Sequence, residues 1–416
     1  MRYPPRWLAL ALILIVLRTT LLVLSVSNMH GLQADEAVYD RLARSVLAGN
    51  GYSMQGEPSI FRPPGWPLSL AAIYASLGDD RRVVVALQGL FDAGTALICG
   101  WLAGGIFGAR AAGALAFLIV LLWPPFFRES RFMQTDPLYC FLVTATLAGF
   151  ARLVRVPDWR PALVTGVCAG LATLVRPTGF VYLGGLLLGW FVWRPTGVWR
   201  HIRLLPVLGL GVALVLAPWT IRNYRVFHAF IPLSVGTGQQ FFGGGLLETD
   251  GRWDLERWGA LGAAVIERER SRVGRSLSPI EEDRALLRAG IDNWRRSPGA
   301  SAVLWLKRIW RMCFLPVTGQ ERPLLRIGFL MTLVVLYALA LPRAVEGLRA
   351  TNSSLAVAGM MGIALVFGVM VHSVLFTNSR YFEPMRPMVI VLAAGTLARW
   401  RVPSRGIVPG AVGSAR

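Results

Sequence analysis

The sequence predicts an all-α protein that crosses a membrane about ten times. Three observations lead to this fold class. The 416 residues are 54% hydrophobic and only 16% charged, which is too little charge to cover the surface of a soluble protein of this size. Apolar runs of membrane-spanning length recur along the chain. The 43 basic side chains outnumber the 23 acidic ones, and they populate alternate short loops, as expected on the cytoplasmic side.

The first apolar run extends from residue 7 to about residue 28 and follows Arg2 and Arg6. Its basic start is similar to that of a signal peptide, but the run is long enough to cross about 30 Å of hydrocarbon. It also ends without a small-x-small cleavage site. We therefore expect a retained first helix with a cytoplasmic start, which places the polar stretch that follows it outside the cell.

Nine further apolar runs complete the predicted bundle. They cover residues 83–106, 111–127, 137–151, 162–176, 178–193, 204–221, 326–342, 353–376 and 385–399. The inner loops of this arrangement carry Arg110, Arg152, Arg155, Arg160, Arg194, Arg200, Arg203, Arg343 and Arg349, with Asp158 and Glu346 as their acids. The positive-inside rule therefore favours cytoplasmic positions for both termini.

Two long outer loops, residues 28–82 and 222–325, belong to the same single membrane domain of residues 1–416. Each loop contains one apolar segment, at residues 64–77 and 302–315. These segments are short for spans, so we expect helices that lie along the membrane interface.

Several function classes are excluded by the sequence. The four cysteines occur singly and the four histidines lie far apart, so neither a disulfide framework nor a zinc site is expected. The chain has no glycine-rich phosphate loop, so it does not use ATP directly. Its basic residues alternate with apolar runs, a pattern that is not typical of a nucleic-acid-binding face.

The strongest cluster of functional side chains lies in the first outer loop. Asp35 and Glu36 are followed by Tyr39, by Gly49-Asn50-Gly51-Tyr52 and by the segment Phe61-Arg62-Pro63-Pro64-Gly65-Trp66-Pro67. An acidic pair near the membrane surface can act as a general base or hold a cation, and an arginine can bind a phosphate with its guanidinium fork. The alternative is that both carboxylates only stabilise the start of the helix that follows.

These motifs resemble the GT-C superfamily of polyprenyl-phosphate-sugar glycosyltransferases. The resemblance is closest to the bacterial family 39 type, which is similar to protein O-mannosyltransferases and lipid A aminoarabinose transferases. Further landmarks follow in the order of that family, all on the predicted outer side: Ser130-Arg131, Thr135-Asp136-Pro137, Arg176-Pro177-Thr178-Gly179, Pro218-Trp219-Thr220-Ile221-Arg222-Asn223-Tyr224 and Arg380-Tyr381. The fold implied is a GT-C bundle of about ten helices with interfacial helices in its two outer loops.

The resemblance implies a transferase of the bacterial inner membrane with an extracytoplasmic active site in the first outer loop. A hexose or pentose would move from a polyprenyl-phosphate-linked donor to a hydroxyl of an envelope lipid, a glycan or a protein, with inversion. Asp35 is the expected base, and Glu36 or Asp136 would orient the acceptor. The donor would contact Arg62, Arg176, Arg222, Arg380, Tyr39 and Tyr381. No cofactor is required by the sequence, and a divalent cation, if used, would take Asp35, Glu36 and Asp136 as candidate ligands.

Alternatives stay open at this stage. Arg176 and Arg222 could extend towards lipid headgroups, Tyr39 and Tyr381 could be interface anchors, and Asp136 could cap a helix. A lipid-linked-sugar flippase or transporter would place charges in mid-membrane along a path and show related halves, whereas a scaffold would concentrate no charge at one interface. The mid-span charges are chiefly Arg18 and Asp92, which we expect to pair because an unpaired charge there costs about 2.5 to 3.5 kcal/mol.

Overall fold

The computed structural model describes residues 4–26, 29, 31–32, 34–193, 202–250, 254–315, 323–375 and 379–400. Within these ranges the chain is almost entirely helical, as predicted. The described part has one pair of short antiparallel strands, β1 (Ser53–Met54) and β2 (Glu57–Pro58), in which Ser53 lies opposite Pro58. This hairpin belongs to the first outer loop.

The membrane bundle is formed by helices from both halves of the chain. They are α1 (Pro5–Ser25), α4 (Arg81–Phe107), α5 (Arg110–Leu121), α6 (Pro124–Glu129), α7 (Asp136–Arg155), α8 (Trp159–Val175), α9 (Gly179–Trp193), α10 (Leu205–Phe227), α15 (Pro323–Leu348), α16 (Ser353–Val374) and α17 (Arg386–Trp400). A 3₁₀ helix, Ser379–Met385, leads directly into α17.

The two long loops that the sequence predicts on the outer side carry the remaining helices. The first loop contains α2 (Ala34–Leu47) and α3 (Gly65–Leu77), and the second contains α11 (Thr237–Gly244), a 3₁₀ turn (Leu247–Thr249), α12 (Leu255–Val273), α13 (Pro279–Arg296) and α14 (Pro298–Phe314). The apolar segments predicted in these loops thus form α3 and α14. Ser278 and Glu281 form a capping box at the start of α13, which is an ordinary helix start signal.

About ten spans fit the described helices. Seven stretches are long and apolar enough to cross a membrane: α1, α4, α5 with α6, α7, α10, α15 and α16. Two shorter apolar helices, α8 and α9, and the 15-residue α17 occupy the other three predicted spans. The protein is therefore an integral, multi-pass membrane protein.

Two helix ends differ from the predicted ones for local reasons. The run 111–127 is interrupted, because α5 ends at Leu121 and α6 begins at Pro124, and proline cannot continue the hydrogen-bond ladder of the preceding helix. Helix α10 continues to Phe227, so Arg222 lies in a helix and not in the outer loop. Residues 27 and 28, where the first run was expected to end, lie outside the described residues.

The helices differ in what surrounds them. Helix α17 is buried on nearly all sides, including every residue from 386 to 396. Helix α1 instead buries only Ala11, Arg18 and Leu22 and exposes an apolar surface that suits lipid. An apolar helix can lie either inside the bundle, as α17 does, or against lipid, as the exposed apolar surface of α1 indicates.

Arg18 and Asp92 pair as the sequence predicts. The Arg18 Nη2 atom lies 2.6 Å from Asp92 Oδ2, and the two side chains are only 5% and 2% exposed. Ser130 Oγ donates a second hydrogen bond of 2.5 Å to the same oxygen. The pair therefore joins α1 to α4 and reaches the loop between α6 and α7.

Candidate active site

The first outer loop places Asp35 and Arg62 in contact, although they are separated by the β-hairpin. Asp35 lies in the first turn of α2, and its Oδ1 atom accepts a hydrogen bond of 2.7 Å from Arg62 Nη2. The two side chains are 36% and 40% exposed. The two residues that the motifs mark as candidate base and candidate phosphate ligand thus lie at one open position.

The loop that carries Arg62 is held from two sides. The Tyr52 hydroxyl donates to the carbonyl oxygens of Arg62 and Pro63, at 2.9 and 3.1 Å. Arg222 donates to the carbonyl oxygens of Tyr52 and Ser59, both at 2.9 Å. The Arg222 guanidinium also lies over the Trp219 ring, 4.9 Å from its centroid. The Arg222 guanidinium therefore binds the backbone of the segment that precedes Arg62 in the sequence.

Glu36 points in a different direction from its neighbour Asp35. It is fully buried, forms an ion pair with Arg81 and accepts a hydrogen bond of 2.7 Å from the backbone N–H of Met133. Its carboxylate thus connects α2 to the start of α4 and to the loop between α6 and α7.

Asp136 is the centre of a second, buried cluster. Its Oδ2 atom accepts hydrogen bonds of 2.9 Å from Arg176 Nη2 and from Arg380 Nε. Arg176 also donates to Thr135 Oγ1 at 2.7 Å, and its guanidinium lies over the rings of Tyr139 and Tyr381. Side chains from α7, from the turn between α8 and α9 and from the 3₁₀ helix before α17 therefore meet at one point.

Tyr39 lies close to both clusters. Its phenol is buried and is influenced by the charges of Asp35 and Arg62 and by those of Arg176 and Arg380. Burial raises the pKa of Tyr39 above its usual value, Asp35 raises it further, and the three arginines oppose the rise. The Tyr39 hydroxyl therefore keeps its proton at neutral pH. Of the nine predicted site residues, Asp35, Tyr39, Arg62, Asp136, Arg176, Arg380 and Tyr381 are gathered in one region, whereas Glu36 and Arg222 turn towards structural partners.

Two residues at this site were missed by sequence reasoning. Gln134 accepts a hydrogen bond of 2.7 Å from Arg380 Nη2 on its side chain, and Gln88 Nε2 donates to the Gln134 carbonyl oxygen at 2.9 Å. A signal for Gln88 exists in the sequence. Arg81, Gln88 and Asp92 are spaced by seven and four residues in an otherwise apolar helix, which places them on one face.

The carboxylates considered for a divalent cation all have arginine partners. Asp35, Glu36 and Asp136 each accept hydrogen bonds from an arginine, and Glu36 faces away from the other two. Among the residues that the structure describes, no group of three or more His, Cys, Asp or Glu side chains is arranged to hold a metal ion.

Comparison with known proteins agrees with the motifs. Residues 62–221 match the family model described as dolichyl-phosphate-mannose-protein mannosyltransferase. The structure is similar to that of the archaeal oligosaccharyltransferase AglB from Archaeoglobus fulgidus in complex with an inhibitory peptide and a dolichol-phosphate. That match has a TM-score of 0.55 at 15% identity and covers 94% of this chain and 50% of AglB. The chain has the GT-C fold.

A second GT-C structure, ArnT from Cupriavidus metallidurans bound to undecaprenyl phosphate, matches with a TM-score of 0.45 at 18% identity. That match covers 95% of this chain and 79% of ArnT. No curated protein sequence matches the chain. The family model over residues 62–221 and the shared fold confirm the predicted resemblance to GT-C polyprenyl-phosphate-sugar transferases.

Proposed function

We propose that this GT-C protein transfers a sugar from a polyprenyl-phosphate-linked donor to an acceptor hydroxyl on the extracytoplasmic side of the membrane. The observation that carries the proposal is the pairing of Asp35 with Arg62 and of Asp136 with Arg176 and Arg380. The hydrogen bond from the Met133 N–H to Glu36 joins the two segments that carry Asp35 and Asp136. Dolichol-phosphate in AglB and the dolichyl-phosphate-mannose of the family description support a lipid-linked phosphate as the donor group.

The arginines are suited to the leaving group of this reaction. When the bond between the anomeric carbon and the phosphate oxygen breaks, the leaving polyprenyl phosphate gains negative charge. Fixed guanidinium groups stabilise charge that develops in the transition state, and they need no rearrangement to do so. Arg62 is the arginine at an open position, so we assign it the first contact with the phosphate. Arg176 and Arg380 are less exposed than Arg62, and we assign them a supporting positive charge at the site.

Asp35 is the proposed base. It would accept the proton of the acceptor hydroxyl while that oxygen attacks the anomeric carbon and the phosphate leaves from the opposite face, with inversion. Asp35 is ion-paired with Arg62, so the guanidinium occupies its Oδ1 atom. A donor phosphate that takes over Arg62 would release Asp35, so donor binding would prepare the base.

Two other roles are revised in this proposal. Glu36 acts through its contacts with Arg81 and the Met133 N–H, and Arg222 acts through the two carbonyl groups that it holds. We infer that both residues shape the site and do not contact the donor. Asp136 holds Arg176 and Arg380 in place.

The transfer reaction can be tested on whole cells. Glycolipids, glycans and proteins of the envelope are compared by mass spectrometry between cells with the intact gene, cells without it, and cells carrying Asp35→Asn. We expect one hexose or pentose modification to disappear in the second and third strains. Asp79→Asn is the matched control, because Asp79 is an exposed carboxylate of the same loop, ion-paired to Arg44. An envelope that is identical in all strains would refute the proposal.

The membrane orientation is tested by cysteine labelling. Ser271 in α12 and Thr351 between α15 and α16 are both exposed and lie on opposite sides in the proposed topology. A membrane-impermeant maleimide should label Ser271→Cys in intact cells and Thr351→Cys only after permeabilisation. Labelling of both from outside would contradict cytoplasmic termini and an extracytoplasmic site.

A further inference from the structure

The loop between α6 and α7, residues 130–135, is buried although it has no regular structure. Ser130, Met133, Gln134 and Thr135 are each less than 9% exposed. Buried backbone groups need hydrogen-bond partners, and an irregular loop cannot supply them from a helix or a sheet. Local turns pair the backbone N–H groups of Ser130, Arg131, Phe132 and Gln134. The remaining buried groups have partners elsewhere in the chain.

Side chains of three other elements supply these partners. The Met133 N–H donates to Glu36 of α2 at 2.7 Å, and the Met133 carbonyl accepts from Trp66 Nε1 of α3 at 3.0 Å. On the other side, Ser130 Oγ donates to Asp92 and the Gln134 carbonyl accepts from Gln88, both on α4. The α6–α7 loop is thus fixed by long-range contacts, immediately before Asp136.

Gln134 connects this support to the candidate site. Its carbonyl oxygen is held by Gln88 Nε2 at 2.9 Å, while its side-chain Oε1 atom accepts from Arg380 Nη2 at 2.7 Å. Gln88 is fully buried and lies far from solvent on the polar face of α4. A displacement of the Gln134 backbone would therefore move the acceptor that orients Arg380.

We propose that Gln88 is a positioning residue, which fixes the α6–α7 loop so that Gln134 and Asp136 hold Arg380 in its place for the donor phosphate. The inference rests on the proposed function. Gln88 touches neither Arg380 nor any reacting atom, and it acts through the peptide of Gln134. Loss of its donor would leave a buried carbonyl without a partner, and the loop would shift to satisfy it.

A test variant and a matched control are available on the same helix. Gln88→Met keeps the length of the side chain and removes the hydrogen-bond donor. Thr95→Val removes another buried polar group of α4, but the Thr95 hydroxyl bonds only to the Phe91 carbonyl of its own helix. Both full-length variants are purified and compared with the wild type in nanodiscs.

Two measurements are made on these proteins. Hydrogen–deuterium exchange of peptides covering residues 130–136 reports the order of the loop and needs no ligand. Titration with undecaprenyl phosphate, the probe for the donor phosphate, reports affinity. Gln88→Met should speed exchange in this loop and weaken the affinity about tenfold, the effect of roughly one lost hydrogen bond. Thr95→Val should change neither quantity.

The double variant separates positioning from general damage. In an Arg380→Ala background, Gln88→Met should weaken undecaprenyl phosphate binding no further, because its effect passes through Arg380. Equal losses in both backgrounds, or unchanged exchange in the loop, would overturn the inference. If Arg380→Ala weakens binding but Gln88→Met does not, the proposed function stands and the inference fails. If the wild type does not bind undecaprenyl phosphate, the proposed function fails, and the exchange experiment alone decides whether Gln88 fixes the loop.

Discussion

The two charged clusters of the candidate site differ in how they are built. Asp35 and Arg62 form a single ion pair whose side chains are 36% and 40% exposed, whereas Asp136 is 3% exposed and shares its carboxylate between Arg176 and Arg380. An exposed pair exchanges partners at little cost. A buried group of charges depends on every member, because removal of one leaves the others unpaired away from water. The open cluster is thus suited to chemistry and the closed one to holding positive charge in place.

Asp35→Asn should show the largest effect, a loss of turnover without a loss of stability. The amide is nearly the same size but is a far poorer base, so transfer should fall by about 10²- to 10⁴-fold. The initial rate with a defined donor in proteoliposomes measures this loss, and the unfolding temperature should stay that of the Asp79→Asn control. Near-normal transfer would show that another residue is the base. The open cluster would then not be the one that carries the chemistry.

Asp136→Asn should affect stability more than any single change in the open cluster. Arg176 would keep its buried position without the Asp136 carboxylate, and Arg380 would keep only the longer ion pair with Glu129 among its described carboxylate partners. This loss costs about 3 to 5 kcal/mol in the free energy of unfolding. Unfolding of the purified protein by denaturant in detergent gives this value. A variant as stable as the wild type would show that water or lipid phosphate already compensates the two arginines.

Arg62→Ala should weaken donor binding and leave the fold intact. Loss of a charge-assisted contact to the phosphate should raise the donor concentration for half-maximal transfer by about tenfold to a hundredfold. Arg62→Lys keeps the charge without the fork and should recover only part of that loss. Stability should change by less than about 1 kcal/mol, since the ion pair is exposed. If the donor concentration for half-maximal transfer is unchanged in Arg62→Ala, Arg62 does not bind the phosphate.

Gly65→Ala should give the smallest effect. It tests whether the contact between α3 and α8 sets the distance between the two clusters. A Cβ atom on Gly65 would lie 2.7 Å from the backbone of Leu174, two residues before Arg176. Helix α3 would have to move away from α8, at a cost of about 1 to 3 kcal/mol in unfolding free energy. Gly259→Ala is the control, because that position opens on free space. Equal stability of the two variants would mean that this contact does not set the spacing.

Much of the fold follows from the sequence because apolar runs and arginine-rich loops are local signals. The ten predicted runs fall on helices. The break before Pro124 was not predicted, although the proline that causes it is visible in the run 111–127. The Arg18–Asp92 pair was also predictable, because a buried charge in an apolar helix needs a partner and the sequence offers few.

The site was predictable in part only. The motifs marked Asp35, Arg62, Asp136, Arg176 and Arg380, but not how they pair. Asp35 and Glu36 are neighbours in sequence, yet successive residues of a helix point about 100° apart, so one faces the site and the other the protein interior. Gln88 and Gln134 interact through a backbone carbonyl, a group that every residue carries. The spacing of polar residues in α4 marks Gln88, but nothing in one sequence marks the carbonyl group that it binds.

The link between α1 and α4 has a consequence for the synthesis of the protein. Arg18 and Asp92 are 74 residues apart in the chain, which corresponds to roughly 4 to 15 s of translation at 5 to 20 residues per second. During this interval the first helix has left the ribosome with its arginine unpaired. We expect it to stay beside the insertion machinery until α4 arrives, so the first and second spans leave that machinery as a pair.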